Sequence, residues 1–189
     1  MNDVIKHKIK HNTQRFITSM KWIIFSILSG LVLGGIGSSF YGCIKMATEL
    51  RMEHLWLLYL LPLGGIVIVG LYRLLKDEND TGTNLVLSAI HSNEEIPLRR
   101  APLSFISTVI THLFGGSAGR EGAALQIGGS IGGALGRLFR FNEKDKHIMI
   151  MCGMSAAFTA LFGTPMAAAV LSNDVVSVGI MLYSALVTC

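Results

Sequence analysis

The sequence contains few charged residues. Only 15% of its 189 residues are Asp, Glu, Lys or Arg, while 51% are hydrophobic. Charged residues make up about 25% of an average soluble domain. The mean hydropathy is +0.53. This composition argues against an ordinary soluble domain and favours a protein that lies in a membrane.

Reactive side chains are also sparse. The three cysteines, Cys43, Cys152 and Cys189, lie in apolar surroundings, and their spacing fits neither a disulfide framework nor a metal site. The six histidines are scattered along the chain. Because no nucleophile–base pair or ligand cluster is recognisable, we expect no enzyme activity, no metal and no cofactor.

Long apolar runs are abundant. Residues 22–44, 55–72 and 101–118 contain no Asp, Glu, Lys or Arg, and about 20 apolar residues in a helix cross the hydrocarbon core of a bilayer. A fourth run, residues 148–173, is interrupted at Gly163-Thr164-Pro165. The sequence therefore predicts an all-α membrane protein with tilted transmembrane helices and re-entrant half-helices.

The net charge of +4 is unevenly distributed. Residues 1–21 contain five Lys or Arg and one acid, and residues 137–146 form a second basic segment. The positive-inside rule places both segments in the cytoplasm. We expect residues 1–20 to form an amphipathic cytoplasmic segment at the surface of the cell membrane. Since these charges flank apolar spans, we expect no nucleic-acid partner.

Several helices are predicted after this segment. They cover about residues 21–48, 55–75, 121–139, 145–162 and 165–178, with one more starting at Ala101. The piece "LVLSAI", residues 85–90, is too short to span and is either a loop or a half-helix. Short interrupted segments of this kind indicate transporter binding sites. Gly128, Gly132 and Gly136 recur every fourth residue, which favours close helix packing.

The stretch "GGSAGREGAALQ" places Arg120 and Glu121 between glycines. A helix that begins here presents unpaired N–H groups and a partial positive charge, which attract anions. Glu121 would lie in the first turn, where its carboxylate occupies the anion site until an anion displaces it or a proton neutralises it. Alternatively, Glu121 merely neutralises the helix end, or the charged pair marks a membrane boundary.

A second polar stretch, "TGTNLVL", allows a similar interpretation. Thr83 and Asn84 could cap a short helix and donate hydrogen bonds to an anion, although by itself the stretch is better explained as an ordinary polar turn with caps. A phosphate-binding loop is disfavoured, because "GGSAGREG" lacks the Gly-Lys-Ser/Thr ending and follows no strand pattern.

Two stretches resemble one known family. "GGSAGREGAALQIGGSIG" resembles the Gly-Arg-Glu-Gly helix start of the CLC family of chloride channels and proton-coupled anion antiporters, and "FGTPMAAAVLSNDVVSVG" resembles a later stretch of it. The resemblance runs from about residue 20 to the end. It implies an inverted-repeat transporter in which residues 21–189 form the first half, with the second half absent.

The resemblance also implies site residues. Glu121 matches the gating, proton-exchanging glutamate, and Gly119, Arg120 and Gly122 match the turn that presents backbone amides to the anion. Gly82, Thr83, Asn84 and Leu85 match the first selectivity segment. The implied substrates are fluoride or chloride together with protons, and the implied assembly is a homodimer when full length.

The substrate is inferred from details of the same motifs. Gly-x-Asn-Leu at residues 82–85 and Ala123, where chloride-type members commonly have Pro, resemble the fluoride-exporting branch, so we expect fluoride/proton antiport. Thr83 instead resembles the serine of chloride-type members, which keeps a chloride channel or a chloride/proton exchanger as the alternative.

Two further features bear on activity. Val175 stands where many proton-coupled members carry a glutamate, so protons take another route or coupling is absent. Because there is no second Gly-Arg-Glu-Gly element, a non-transporting membrane fragment is another alternative, and we expect these 189 residues alone not to conduct anions.

Overall fold

The described part of the chain is helical. The computed structural model describes residues 2–75, 77, 82, 86, 96–139 and 141–176. Among these residues we number the helices α1 (Asn2–Glu53), α2 (Leu61–Leu74), α3 (Arg100–Leu113), α4 (Arg120–Leu138), α5 (Glu143–Phe162) and α6 (Pro165–Val176), with a 3₁₀ helix, Leu55–Leu60, before α2. This part of the chain contains no strand, and the all-α prediction is confirmed.

Within the residues that the structure describes, two helical stretches are long and apolar enough to cross a membrane. They are Phe25–Glu53, with 29 residues, and Leu55–Leu74, with 20 residues. Only 28% and 6% of their most apolar windows are buried within the protein. Their outward-facing side chains, such as Tyr59 and Ile66, therefore suit contact with lipid.

One predicted boundary was wrong. We expected a surface helix over residues 1–20 and a separate helix from residue 21, but α1 runs without a break from Asn2 to Glu53. The helix predicted from Ala101 begins at Arg100 and ends at Leu113, and Gly115 follows with φ +79°. Its 14 residues extend about 21 Å at ~1.5 Å per residue, less than the ~30 Å hydrocarbon core.

The later helices follow the prediction closely. The break between α5 and α6 lies at Gly163 and Thr164, and Gly163 has φ +71°. In the predicted piece "LVLSAI", Val86 is helical, and its other residues lie outside the described part of the chain.

The centre of the bundle is the packing of α4 against α5. A Cβ atom on Gly128 would overlap the carbonyl oxygen of Gly153, and one on Gly132 would lie 3.2 Å from the Gly153 Cα. The glycines thus let the two backbones touch, as their spacing predicts. Apolar side chains of α1, including Leu33 and Phe40, pack on another face of α4.

Each end of the bundle is joined by contacts between distant segments. In the first half of α1, Trp22 stacks on Phe141 of the α4–α5 turn with 5.3 Å between ring centroids. At the opposite end, the 3₁₀ helix approaches the turn after α3, since a Cβ on Gly115 would overlap the side chain of Leu58. These contacts bring the start of α4 and the end of α1 to the same end of the molecule.

Candidate functional site

The first turn of α4 has no side-chain cap. The helix begins at Arg120, and its N-cap residue Gly119 has φ −72° and ψ 125° and makes no side-chain capping hydrogen bond. A helix start leaves backbone N–H groups without partners inside the helix and carries a partial positive charge. The first turn of α4 therefore presents donors that suit an anion.

The charged pair lies in this first turn. Glu121 follows the first helical residue, which confirms its expected position at the helix start, and both Glu121 and Arg120 are exposed. Gly122 is half-buried and Ala123 is buried. Occupation of an anion site by the Glu121 carboxylate stays a prediction.

A polar cavity adjoins the start of α4. Its volume is about 350 Å³, and helices α2, α3 and α4 line it. Its lining consists mainly of small residues and groups that donate hydrogen bonds: Tyr72, Ser104, Ser107, Thr108, Gly119, Gly122, Ala123 and Gln126. Hydroxyl and amide groups can replace part of the hydration shell of an anion without adding net charge.

The polar residues of α3 that line this cavity were not predicted from the sequence. Ser104, Ser107 and Thr108 recur at the i, i+3, i+4 spacing of one helix face, which could have indicated a polar stripe. Because the stripe lies within a charge-free apolar run, its polar groups are hard to recognise from the sequence.

Gln126 links the cavity to the predicted selectivity segment. The Ser104 hydroxyl donates a hydrogen bond to Oε1 of Gln126. A Cβ placed on Gly82 would lie 3.5 Å from Nε2 of Gln126, so the amide nitrogen is beside the Gly82 turn. The structure thus brings Gly82 and α4 together, while Thr83, Asn84 and Leu85 lie outside the described residues.

Three more contacts hold the chain on either side of Gly82. Arg100 at the start of α3 meets Asp77 in a buried pair, with Nη2 donating to Oδ1 at 3.0 Å and Nε lying 2.9 Å from Oδ2. The second of these contacts is an ion pair without hydrogen-bond geometry. Val86 lies against Gly129, where a Cβ would come within 2.7 Å of it, and Arg137 donates to the carbonyl oxygen of Ile96 at 3.0 Å.

Metal-ligating side chains do not gather in the part of the chain that the structure describes. No group of three or more His, Cys, Asp or Glu comes close enough together there to hold a metal ion. The site therefore consists of backbone amides, hydroxyls, one carboxamide and one nearby carboxylate.

Comparisons with known proteins identify the family of the chain. The family model described as "Voltage gated chloride channel" matches residues 64–189. The "Chloride/fluoride channel protein" of Pseudomonas syringae pv. tomato is 39% identical over 170 residues, which are 89% of this chain and 38% of that relative.

Solved structures agree with the sequence matches. A crystal structure of a CLC-type fluoride/proton antiporter has 36% identity and a TM-score of 0.83, covering 89% of this chain and 43% of that one. A slow cyanobacterial Cl⁻/H⁺ antiporter has 21% identity, a TM-score of 0.69 and coverage of 88% and 43%, which shows the shared fold. The chain spans about two-fifths of the length of the proteins it matches.

Proposed function

The chain belongs to the voltage-gated chloride channel family, and from this premise we propose that its protein exports fluoride across the cell membrane in exchange for protons. The observation that carries the proposal is the uncapped start of α4. Its first turn holds Glu121, and it opens into a polar cavity beside Gly82.

Anion binding follows from the backbone at this place. Gly119 and Gly122 carry no side chain, so a small anion can approach the N–H groups of the first turn closely. The partial positive charge of the helix end then attracts the anion. Because hydroxyls and a carboxamide line the adjoining cavity, the anion exchanges its hydration for neutral donors.

Proton coupling depends on Glu121. An ionised carboxylate in the first turn competes with the anion for the same amides, since both are negative. Protonation removes that charge and frees the amides for the anion. Replacement of the Glu121 carboxylate by the anion at these amides therefore accompanies protonation of Glu121. This links anion movement to proton movement in the opposite direction. Arg120, Gly119, Gly122 and Ala123 set the backbone of the turn.

Fluoride is favoured by similarity. The relatives with 39% and 36% identity carry chloride/fluoride and fluoride/proton in their names, while the 21% identical structure is a Cl⁻/H⁺ antiporter. Residues 82–85, Gly-Thr-Asn-Leu, and Ala123 point the same way. Thr83 supports chloride as the second candidate, since its hydroxyl could serve a chloride site.

The test uses protein expressed from the complete reading frame of the gene and reconstituted in liposomes. We expect fluoride efflux, measured with a fluoride electrode, to be accompanied by proton uptake measured as a pH change, and chloride efflux to be much slower. Chloride efflux that equals or exceeds fluoride efflux would favour the second candidate.

Glu121→Gln tests the gating role of Glu121 in the same reconstituted protein. The carboxamide keeps the size of the side chain but cannot exchange a proton, so we expect proton movement to fall to the level of protein-free liposomes. Glu49→Gln is the matched control, because Glu49 lies exposed on α1 in a 3.9 Å pair with Lys45. Proton-coupled transport by Glu121→Gln at the parental rate would refute the gating role.

A further inference from the structure

We propose that Gln126 is a positioning residue whose amide, held by Ser104, fixes the Gly82 turn against α4 and thereby sets anion selectivity. The inference rests on the proposed function. It adds two residues, Gln126 and Ser104, to which the family resemblance assigned no role, and it assigns each of them a separate task.

The first step is the position of Gln126 on α4. Gly119, Gly122 and Gln126 are spaced by three and four residues, so they share one helix face, and all three line the polar cavity. Gln126 therefore lies on the same face as the first-turn amides, about one turn further into the bundle. A side chain at this place can connect the start of α4 to whatever lies across the cavity.

The second step is the orientation of the carboxamide. The Ser104 hydroxyl donates to Oε1, which directs the N–H₂ end of the amide away from α3. Ser104 is only 4% exposed, and its own carbonyl oxygen accepts a hydrogen bond from the Ser107 hydroxyl at 3.3 Å. The partner that orients Gln126 is thus itself part of the buried α3 surface.

The third step is the contact with Gly82. This residue has φ +65°, a conformation that suits glycine, and a Cβ there would touch Nε2 of Gln126 at 3.5 Å. The amide therefore packs directly against the turn that begins the predicted selectivity segment. Arg100 of the same helix α3 also pairs with Asp77, which precedes Gly82 in the chain.

The consequence concerns the choice between small and large anions. A site for fluoride needs closely placed donors, because fluoride is small and strongly hydrated. If the Gly82 turn moves away from α4, the donors on the two sides of the cavity separate. Binding of the smaller anion then weakens more than binding of the larger one.

The test compares two substitutions of Gln126 in the reconstituted protein. Gln126→Glu keeps the shape and still accepts the Ser104 hydrogen bond, but it presents an oxygen to Gly82, and Gln126→Met keeps the length without polar groups. For both we expect the KM for fluoride to rise and the fluoride-over-chloride ratio to fall, each by about tenfold, which corresponds to about 1.4 kcal/mol of binding free energy. The maximal rate at saturating fluoride should change less than about threefold.

Ser104 supplies an independent pair of variants. Ser104→Ala releases the amide and should reproduce the loss of selectivity, while Ser104→Thr retains a hydroxyl and should restore it. Thr111→Val is the control, since the Thr111 hydroxyl bonds to the Ser107 carbonyl oxygen within α3 at 2.7 Å and does not line the cavity. It should behave as the parent does.

The outcomes distinguish a failure of the Gln126 positioning role from a failure of the proposed transport function. A parental protein that moves no anion refutes the proposed function. If the parent transports fluoride, unchanged KM and selectivity in the Gln126 variants and Ser104→Ala refute the positioning role. A uniform loss of rate without a change in KM or selectivity refutes it too. Should Gln126→Met fail to fold, Gln126→Glu and the Ser104 pair decide the matter.

Discussion

At Asp77 and Arg100, two opposite charges are buried together. Asp77 is 6% and Arg100 7% exposed, and the pair joins the segment after α2 to the start of α3. Removing one partner of a buried pair leaves the other charge without compensation, which costs far more than the pair itself contributes. This pair is therefore a sensitive point for stability.

We expect Arg100→Ala to lower the free energy of unfolding by about 3–5 kcal/mol. Asp77→Ala should cost a similar amount, and the double variant less than the sum, because neither charge is then left alone. Thermal unfolding in detergent measures all three. Lys45→Ala is the control, as its exposed pair with Glu49 should be worth about 0.3–0.5 kcal/mol. Additive losses would show that the two side chains act independently.

Single residues differ in how well the sequence predicts them. The first-turn position of Glu121 could be predicted, because glycines and an adjacent charged pair are local signals. The contact of Ser104 with Gln126 could not, since these residues are 22 positions apart and meet only when α3 packs on α4. Prediction from sequence thus finds the charged group of the site and misses the neutral side chains that line it.

Helices α4 and α5 pack with their backbones in direct contact. Gly128 of α4 lies directly against the backbone of Gly153 in α5. A backbone carbonyl cannot rotate aside as a flexible side chain can, so a methyl group at this position must push the helices apart. Separation of α4 and α5 would also loosen the buried methionines Met149 and Met154.

Gly128→Ala should therefore destabilise the protein by about 1–3 kcal/mol, the usual cost of overpacking. Gly42→Ala is the matched control, because a Cβ on Gly42 of α1 would meet no atom within 4 Å. There we expect no loss, and a gain of up to ~1 kcal/mol from helix propensity. Equal melting temperatures of the two variants would contradict the tight contact.

Among the helices, too, some features could be predicted from the sequence and others could not. The glycine spacing predicted a close helix contact on α4 without naming its partner, and the Gly163-Thr164-Pro165 break predicted the end of α5. The start of α1 was predicted wrongly, because the change from polar to apolar residues near position 21 was interpreted as a helix boundary. Residues 2–29 contain no Gly or Pro, so nothing in the backbone ends the helix, whatever surrounds it.

In the whole molecule, the two basic segments lie at the same end of the helix bundle. Trp22 stacks on Phe141, which brings the basic segment 1–21 and the basic segment 137–146 to the same end. Asp77, Arg100 and the Arg137–Ile96 contact connect to α3 and α4 at this end as well. The positive-inside rule predicts that this end faces the cytoplasm, and on that prediction the start of α4 with Glu121 faces outward.

This orientation predicts opposite accessibility of two exposed turn residues, His54 after α1 and Asn142 before α5. In a variant without native cysteines, a cysteine at His54→Cys should react with a membrane-impermeant maleimide in intact cells. A cysteine at Asn142→Cys should react only after the membrane is opened. The reverse pattern would place the N-terminus and the basic end outside, so that the start of α4 would face the cytoplasm. Labelling of both from one side would mean that α1 does not cross the membrane.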